Sequence, residues 1–195
     1  MPNSEIADAA PARKRFTTSE VESLLDTDFF AGQRCELIDG DLIDKMGQSF
    51  AHAFTIQRAM AALAKLLPAE TILVQMPVQA AGEDGDFSVP EPDLAVLREF
   101  SLEHAHRHPR GNEVLLAIEV SDTTAAFDLS RKAALYAHAG VPEYWVLDLN
   151  RRMLVVHRQP DGVQYRQTVL HAPEESVSFP GRSESVKIAD ILPPA

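Results

Sequence analysis

Residues 112 to 122, NEVLLAIEVSD, constrain the fold of this chain more than any other stretch. Val114 to Ile118 form an unbroken apolar run, too short for a comfortable helix, so it reads as a strand covered on both faces. A carboxylate, Glu119, then stands where the pattern asks for another hydrophobe. Burying a charge at the end of such a strand is costly unless a cation or hydrogen-bond donors offset its lost hydration. The chain must bring a partner to Glu119, and the identity of that partner bears on function.

The segment PDLAVL, residues 92 to 97, supplies a second acid. As a strand it directs Asp93 to the same face as Ala95, and Leu94 and Val96 to the other. Paired neighbouring strands lie about 4.8 Å apart, so Asp93 and Glu119 are expected to converge within metal-binding distance. Two carboxylates that close repel unless a divalent cation sits between them, and Mg²⁺ or Mn²⁺ suits such hard oxygen donors. Each acid alone has a plainer reading, Asp93 in a turn after Pro92 and Glu119 bonded to backbone amides. Downstream, Lys132 lies four residues after Asp128. Periodicity allows it to be an exposed ion pair with Asp128, or to share the sheet-covering face with Leu129, Leu135 and Tyr136.

Local signals give the element order. Thr17-x-x-Glu20 is a capping box ahead of a short helix, and Asp39-Gly40 between two apolar runs predicts a hairpin. Apolar residues at helical spacing predict a long helix from about Ser49, the expected N-cap, to Leu67 before Pro68. Three strands follow, TILVQMPVQA, PDLAVL and EVLLAIEV, with a Gly/Asp loop at 82 to 86 after the first. A second long helix is expected from roughly Thr124 to His138, closed by Gly140 and Pro142. EYWVLDL, MLVVHRQ, VQYRQTVL, SVSFP and a segment near VKIADIL complete the chain. The order implies an α/β (α+β) fold with a mixed central β-sheet flanked by helices and a C-terminal β-meander.

The 195 residues suit one domain over 16–195 behind a flexible N-terminal tail, 1–15. No apolar stretch is long enough to cross a membrane and the N-terminus does not resemble a secretory signal, so a cytoplasmic location is expected. The single Cys35 excludes an internal disulfide and reads as a packing residue. The net charge of -11 opposes binding to phosphodiester backbones unless a local basic patch or bound metal reverses the field.

In order along the chain, CELIDGDLI, PEPDLAVL and IEVSDTTAAFDLSRKAALYAHAGVPEYWVLDL resemble the family described as "putative restriction endonuclease", small bacterial proteins of the PD-(D/E)XK nuclease superfamily. The resemblance spans about residues 16 to 170. It implies a restriction-endonuclease-like fold, with Asp93 and Glu119 as metal ligands and Glu36 as a third acid of the site. The superfamily's usual lysine falls at Ser121, which cannot supply a positive charge; similar proteins carry that lysine on the following helix, here Lys132. His52 matches a recurrent histidine of the family. Gln75 and Gln79, on the preceding strand, are candidates for secondary contacts.

This constellation predicts a Mg²⁺- or Mn²⁺-dependent endonuclease, a hydrolase of phosphodiester bonds, acting on DNA. The metal ligands would be Asp93, Glu119 and Glu36, and the catalytic residues those three with Lys132. Lys132 would orient or help deprotonate the attacking water and stabilise the transition state, mattering to rate rather than to fold. His104 to Arg110 read as a solvated loop whose Arg107 and Arg110 help hold the nucleic-acid backbone around the metal. Tyr144 and Trp145 read as core. A homodimer suits cutting of both strands. The rivals are a non-catalytic nuclease-fold module that binds protein or nucleic acid, and a metal-dependent hydrolase of another phosphate ester.

Overall fold

The computed structural model describes residues 13–45, 47–80 and 86–194. The expected tail as far as residue 12, and residues 82–85 of the expected loop, lie outside the described residues. The capping box forms as read: Thr17 caps α1 (Thr18–Leu25), and the Glu20 side chain accepts from the Thr17 N–H. β1 (Cys35–Ile38) and β2 (Asp41–Asp44) make the expected hairpin. Asp39 (φ 51) and Gly40 (φ 81) both take the left-handed conformation that a tight two-residue hairpin turn requires.

Helix α2 (Phe50–Leu63) starts at Ser49, whose side chain accepts from the His52 N–H. It ends four residues before the predicted Leu67, and the Leu66 and Leu67 amides both turn back to the Leu63 carbonyl. Of TILVQMPVQA only β3 (Ile72–Val74) joins the central sheet as a strand, because Gln75 adopts φ 49 and bends the chain away. β3, β4 (Leu94–Leu97), β5 (Val114–Ser121), β6 (Glu143–Asp148), β7 (Met153–Pro160) and β8 (Tyr165–His171) form one six-stranded sheet in that order. Only the β5–β6 pairing in this sheet is parallel; the rest is antiparallel, ending in the expected β6–β7–β8 meander.

Both faces of the sheet are covered, as the unbroken run in β5 requires. On one face Ile56, Ala59 and Leu63 of α2 pack with Leu94, Val96, Ile118, Trp145 and Leu147. The C-terminal hairpin β9 (Ser176–Ser178) and β10 (Ser185–Lys187), with α5 (Ile188–Ile191), completes that layer through Val177, Val186 and Ile188. On the other face Ala95, Ala117, Tyr144 and Val146 meet Leu135, Tyr136 and Ala137. Each fully buried Leu or Ile adds about 1.5–3 kcal/mol relative to exposure.

The crossover from β5 to β6 differs from the predicted single helix. α3 (Ala125–Phe127) is followed by one π-helical turn, Asp128–Lys132, and then by α4 (Ala133–His138). The Ala133 N–H reaches back five residues to the Asp128 carbonyl, which also accepts from the Tyr144 hydroxyl at 3.1 Å. The widened turn is thus fastened to the sheet by a side chain remote in sequence. Gly140, with φ 76, ends the helix as expected. Among the described residues no helix is long and apolar enough to cross a membrane.

Candidate active site

Leu94 pairs with Ile118, so one step further along the same antiparallel ladder Asp93 stands opposite Glu119. Both side chains are buried, at 3% and 4% exposure, at the end of the sheet. Glu119 is met by Lys132, whose Nζ donates to Glu119 Oε1 at 2.8 Å, and by the Tyr136 hydroxyl at 3.1 Å. The same ammonium lies 2.9 Å from Glu36 Oε1 and 4.0 Å from Asp128 Oδ1. Lys132 is therefore the compensation that the sequence of β5 demanded. Of its two readings, the sheet-facing one is correct: Lys132 is 3% exposed, and its 4.0 Å approach to Asp128 is buried rather than at the surface.

Asp93 is held from three sides. His52 Nε2 and Gln75 Nε2 each lie 3.1 Å from Oδ1, and the Val120 N–H donates to Oδ2 at 2.9 Å. Burial would raise its pKa, but His52, the Val120 amide and Gln75 together outweigh burial and hold it below the usual carboxylate value. Glu36 Oε2 accepts from the Glu91 N–H at 3.0 Å. Ser121, where the sequence resemblance leads one to look for a lysine, donates to Asp128 Oδ2, and so does Thr124 at 2.6 Å. Ser121 thus acts on the π-turn that carries Lys132.

Three buried carboxylates, Glu36, Glu119 and Asp128, surround one ammonium, and a fourth, Asp93, adds its charge beside Glu119. Burial pushes the Glu119 pKa up to about 8; Lys132 opposes this, and the charges of Asp93, Asp128 and Glu36 add to it. Burial would lower the Lys132 pKa, but Glu119, Glu36 and Asp128 outweigh it and drive the net shift upward. Both shifts have the same meaning: the cluster retains protons because it is short of positive charge. Among the described residues no three His, Cys, Asp or Glu side chains are arranged to hold a metal ion by themselves. The donor set still fits a hard cation of the kind that takes one or two carboxylates and completes its shell with water and phosphate. Both hydrogen bonds to Glu119 fall on Oε1, which leaves Oε2 without a hydrogen-bond partner among the described residues.

These groups line a cleft of about 200 Å³. Two cations that the sequence reading did not single out, Arg34 and Lys45, also line it, both paired with Glu91. They flank the hairpin's open end, where the Lys45 N–H donates to the Arg34 carbonyl, so extending the ladder past Cys35 and Asp44 would have found them. Asp128 and Tyr136 were likewise legible only as the flanks of Lys132 at four-residue spacing. Arg131, next in the chain, ties the π-turn to the hairpin: its guanidinium bonds Asp39 Oδ2 at 2.7 Å, Asp41 Oδ2 at 2.9 Å and the Ile38 carbonyl at 3.0 Å.

Arg107 and Arg110 do not join this cluster, contrary to their expected place around the metal. They precede Val114, the first residue of β5, whereas Asp93 and Glu119 meet near its other end, about 17 Å further along the strand at 3.3 Å per residue. Arg107 is also occupied, with two 2.7 Å bonds to Glu113 and one of 3.2 Å to Glu103. Gln79 lies there too, bridged to Arg110. Tyr144 and Trp145 are core, as read.

Among solved structures, the chain is similar to one described as a putative nuclease belonging to DUF820 from Anabaena variabilis ATCC 29413. The TM-score is 0.67 at 16% identity, over 90% of this chain and 97% of that one, a likeness of fold. No curated protein matches. The model of the family described as "Uma2: Putative restriction endonuclease" matches residues 20–187, and this chain belongs to that family.

Proposed function

We propose that the chain is a nuclease that hydrolyses phosphodiester bonds in DNA with the help of Mg²⁺ or Mn²⁺ held by Asp93 and Glu119. Its family supports a nuclease. The observation that carries the reading is the buried Lys132 ammonium, 2.8 Å from Glu119 beside Asp93 in a cleft open to solvent. The non-catalytic rival predicts a Lys132 facing solvent, which this geometry disfavours.

Bound between these carboxylates, the cation would supply positive charge to the phosphate oxygens and make a nearby water more acidic. Lys132 stays protonated, so of the roles the sequence suggested it keeps that of a positive charge stabilising the transition state and loses that of helping to deprotonate the water. Glu36, with both oxygens engaged, acts by holding Lys132 instead of completing the metal shell. His52 and Gln75 fix the Asp93 carboxylate, and Tyr136 fixes Glu119 so that Oε2 is presented to the cleft. Ser121 and Asp128 keep the π-turn, and with it Lys132, in place.

The test combines cleavage of supercoiled plasmid and single-stranded DNA in Mg²⁺ or Mn²⁺ with thermal melting. The metal should raise the melting temperature by mass action and permit cleavage, and Asp93→Asn should abolish both. A variant stabilised as strongly as the parent removes the metal site; a parent that cleaves nothing removes the nuclease.

A further inference from the structure

The outer side of α2 carries a stripe that the cleft does not use. Phe50, Phe54 and Arg58 recur every four residues and so lie along one helical face. The helix buries a different set, Thr55, Ile56, Ala59 and Leu63. Phe50 is 85% exposed, although nothing in its position at the helix start prevents a smaller or polar residue. Its ring lies 6.4 Å from that of Phe54 at a tilt of 32°. Phe50 follows Ser49, which lines the cleft with His52, so the stripe begins at the cleft's lip.

Beyond the rings the surface turns basic. Arg58 borders a groove of about 410 Å³ together with Lys65, just past the helix, and Lys187 of β10. Arg58 Nε is spent on a backbone oxygen, that of Asp190, at 2.8 Å. Among the described residues none of the three forms an ion pair, while Asp190 contributes the groove's one carboxylate. Elsewhere on this acidic chain exposed arginines such as Arg151 and Arg166 sit beside acids. Rings followed by free cations along about 20 Å of helix form a surface suited to a strand with unstacked bases and a phosphate backbone.

We infer that this face of α2 binds single-stranded nucleic acid entering or leaving the cleft, with bases on Phe50 and Phe54 and phosphates at Arg58, Lys65 and Lys187. The inference rests on the nuclease reading of the neighbouring cleft. A duplex keeps its bases stacked on one another and offers the rings nothing, so the preference is for single strands or frayed ends.

The test uses the Asp93→Asn full chain, to spare the DNA, and follows fluorescence anisotropy of a labelled oligothymidylate and of a blunt duplex of equal length. Phe50→Ala with Phe54→Ala should weaken single-strand binding by roughly 30-fold or more and change duplex binding less than about twofold. Arg58→Ala, Lys65→Ala and Lys187→Ala together should make the slope of log affinity against log salt shallower by about 0.7 per charge removed. Equal loss on both substrates, no loss on either, or a change of oligomeric state on removing Phe50 overturns the inference. Unaltered strand binding by the ring variant, alongside wild-type plasmid cleavage, would sink this surface and leave the nuclease standing. A wild-type chain that neither cleaves nor binds DNA would end both.

Discussion

Lys132→Ala is the perturbation that separates structure from chemistry in this site. The sequence suggests a residue needed for rate and dispensable for the fold, but the ammonium is 3% exposed and bonded to Glu119 and Glu36. Removing one partner of a buried ion pair strands the other charge and costs about 3–5 kcal/mol. For a domain of this size 1 kcal/mol moves the melting temperature by about 2–4 °C, so a fall of roughly 6–20 °C is expected. Calorimetry with the metal chelated measures it. Lys132→Met keeps most of the stem volume and should lose nearly as much, which assigns the effect to charge. Adding Glu119→Gln to Lys132→Met should recover part of the loss, because fewer carboxylates remain uncompensated. The deficit of Lys132→Ala should also shrink as pH falls, since the stranded carboxylates then take up protons. Cleavage by any folded Lys132 variant should drop by about a hundredfold or more. A Lys132→Ala chain that melts within a degree or two of the parent would refute the argument, whatever its activity.

Arg34→Ala and Lys45→Ala, in the cleft lining, should each reduce the salt slope of duplex binding by about 0.9, whereas Arg107→Ala with Arg110→Ala should leave it unchanged; a slope that responds only to the second pair would return the backbone contact to the far end of the sheet. Arg131→Ala removes bonds to Asp39, Asp41 and the Ile38 carbonyl, so the β1–β2 hairpin should exchange its amide protons faster and the chain should lose about 1–3 kcal/mol in denaturant melts. Arg131→Lys, with a single ammonium in place of the fork, should recover only part of that, and full recovery would count against the bridge.

The parts of the fold that local chemistry decides were legible. The capping box at Thr17, the Asp39-Gly40 turn and the buried run of β5 each specify their element within a few residues, and the lone carboxylate of that run led to Asp93 and Lys132. What escaped depends on residues far apart in sequence. The π-turn is held by Ser121 and Thr124 on the Asp128 carboxylate and by Tyr144 on its carbonyl, and no helical periodicity anticipates a bond from another strand. The single-strand reading of TILVQMPVQA failed because Gln75 turns at φ 49 and gives its side chain to Asp93. Arg107 and Arg110 were assigned to the site on charge alone, without the strand direction that sends them to the opposite end of β5.

Lys132 rides on the connection between the two parallel strands, and the turn that carries it is fastened by Tyr144 of β6, whose Val146 stands beside Glu119 in the parallel ladder. During synthesis all the acids and the lysine emerge before β6 does. The half-made chain then carries its reactive groups in water, where neither carboxylates nor ammonium have their shifted affinities for protons. On the proposed reading chemistry is thereby deferred to the finished molecule, and a product truncated before the meander should be inert toward nucleic acids.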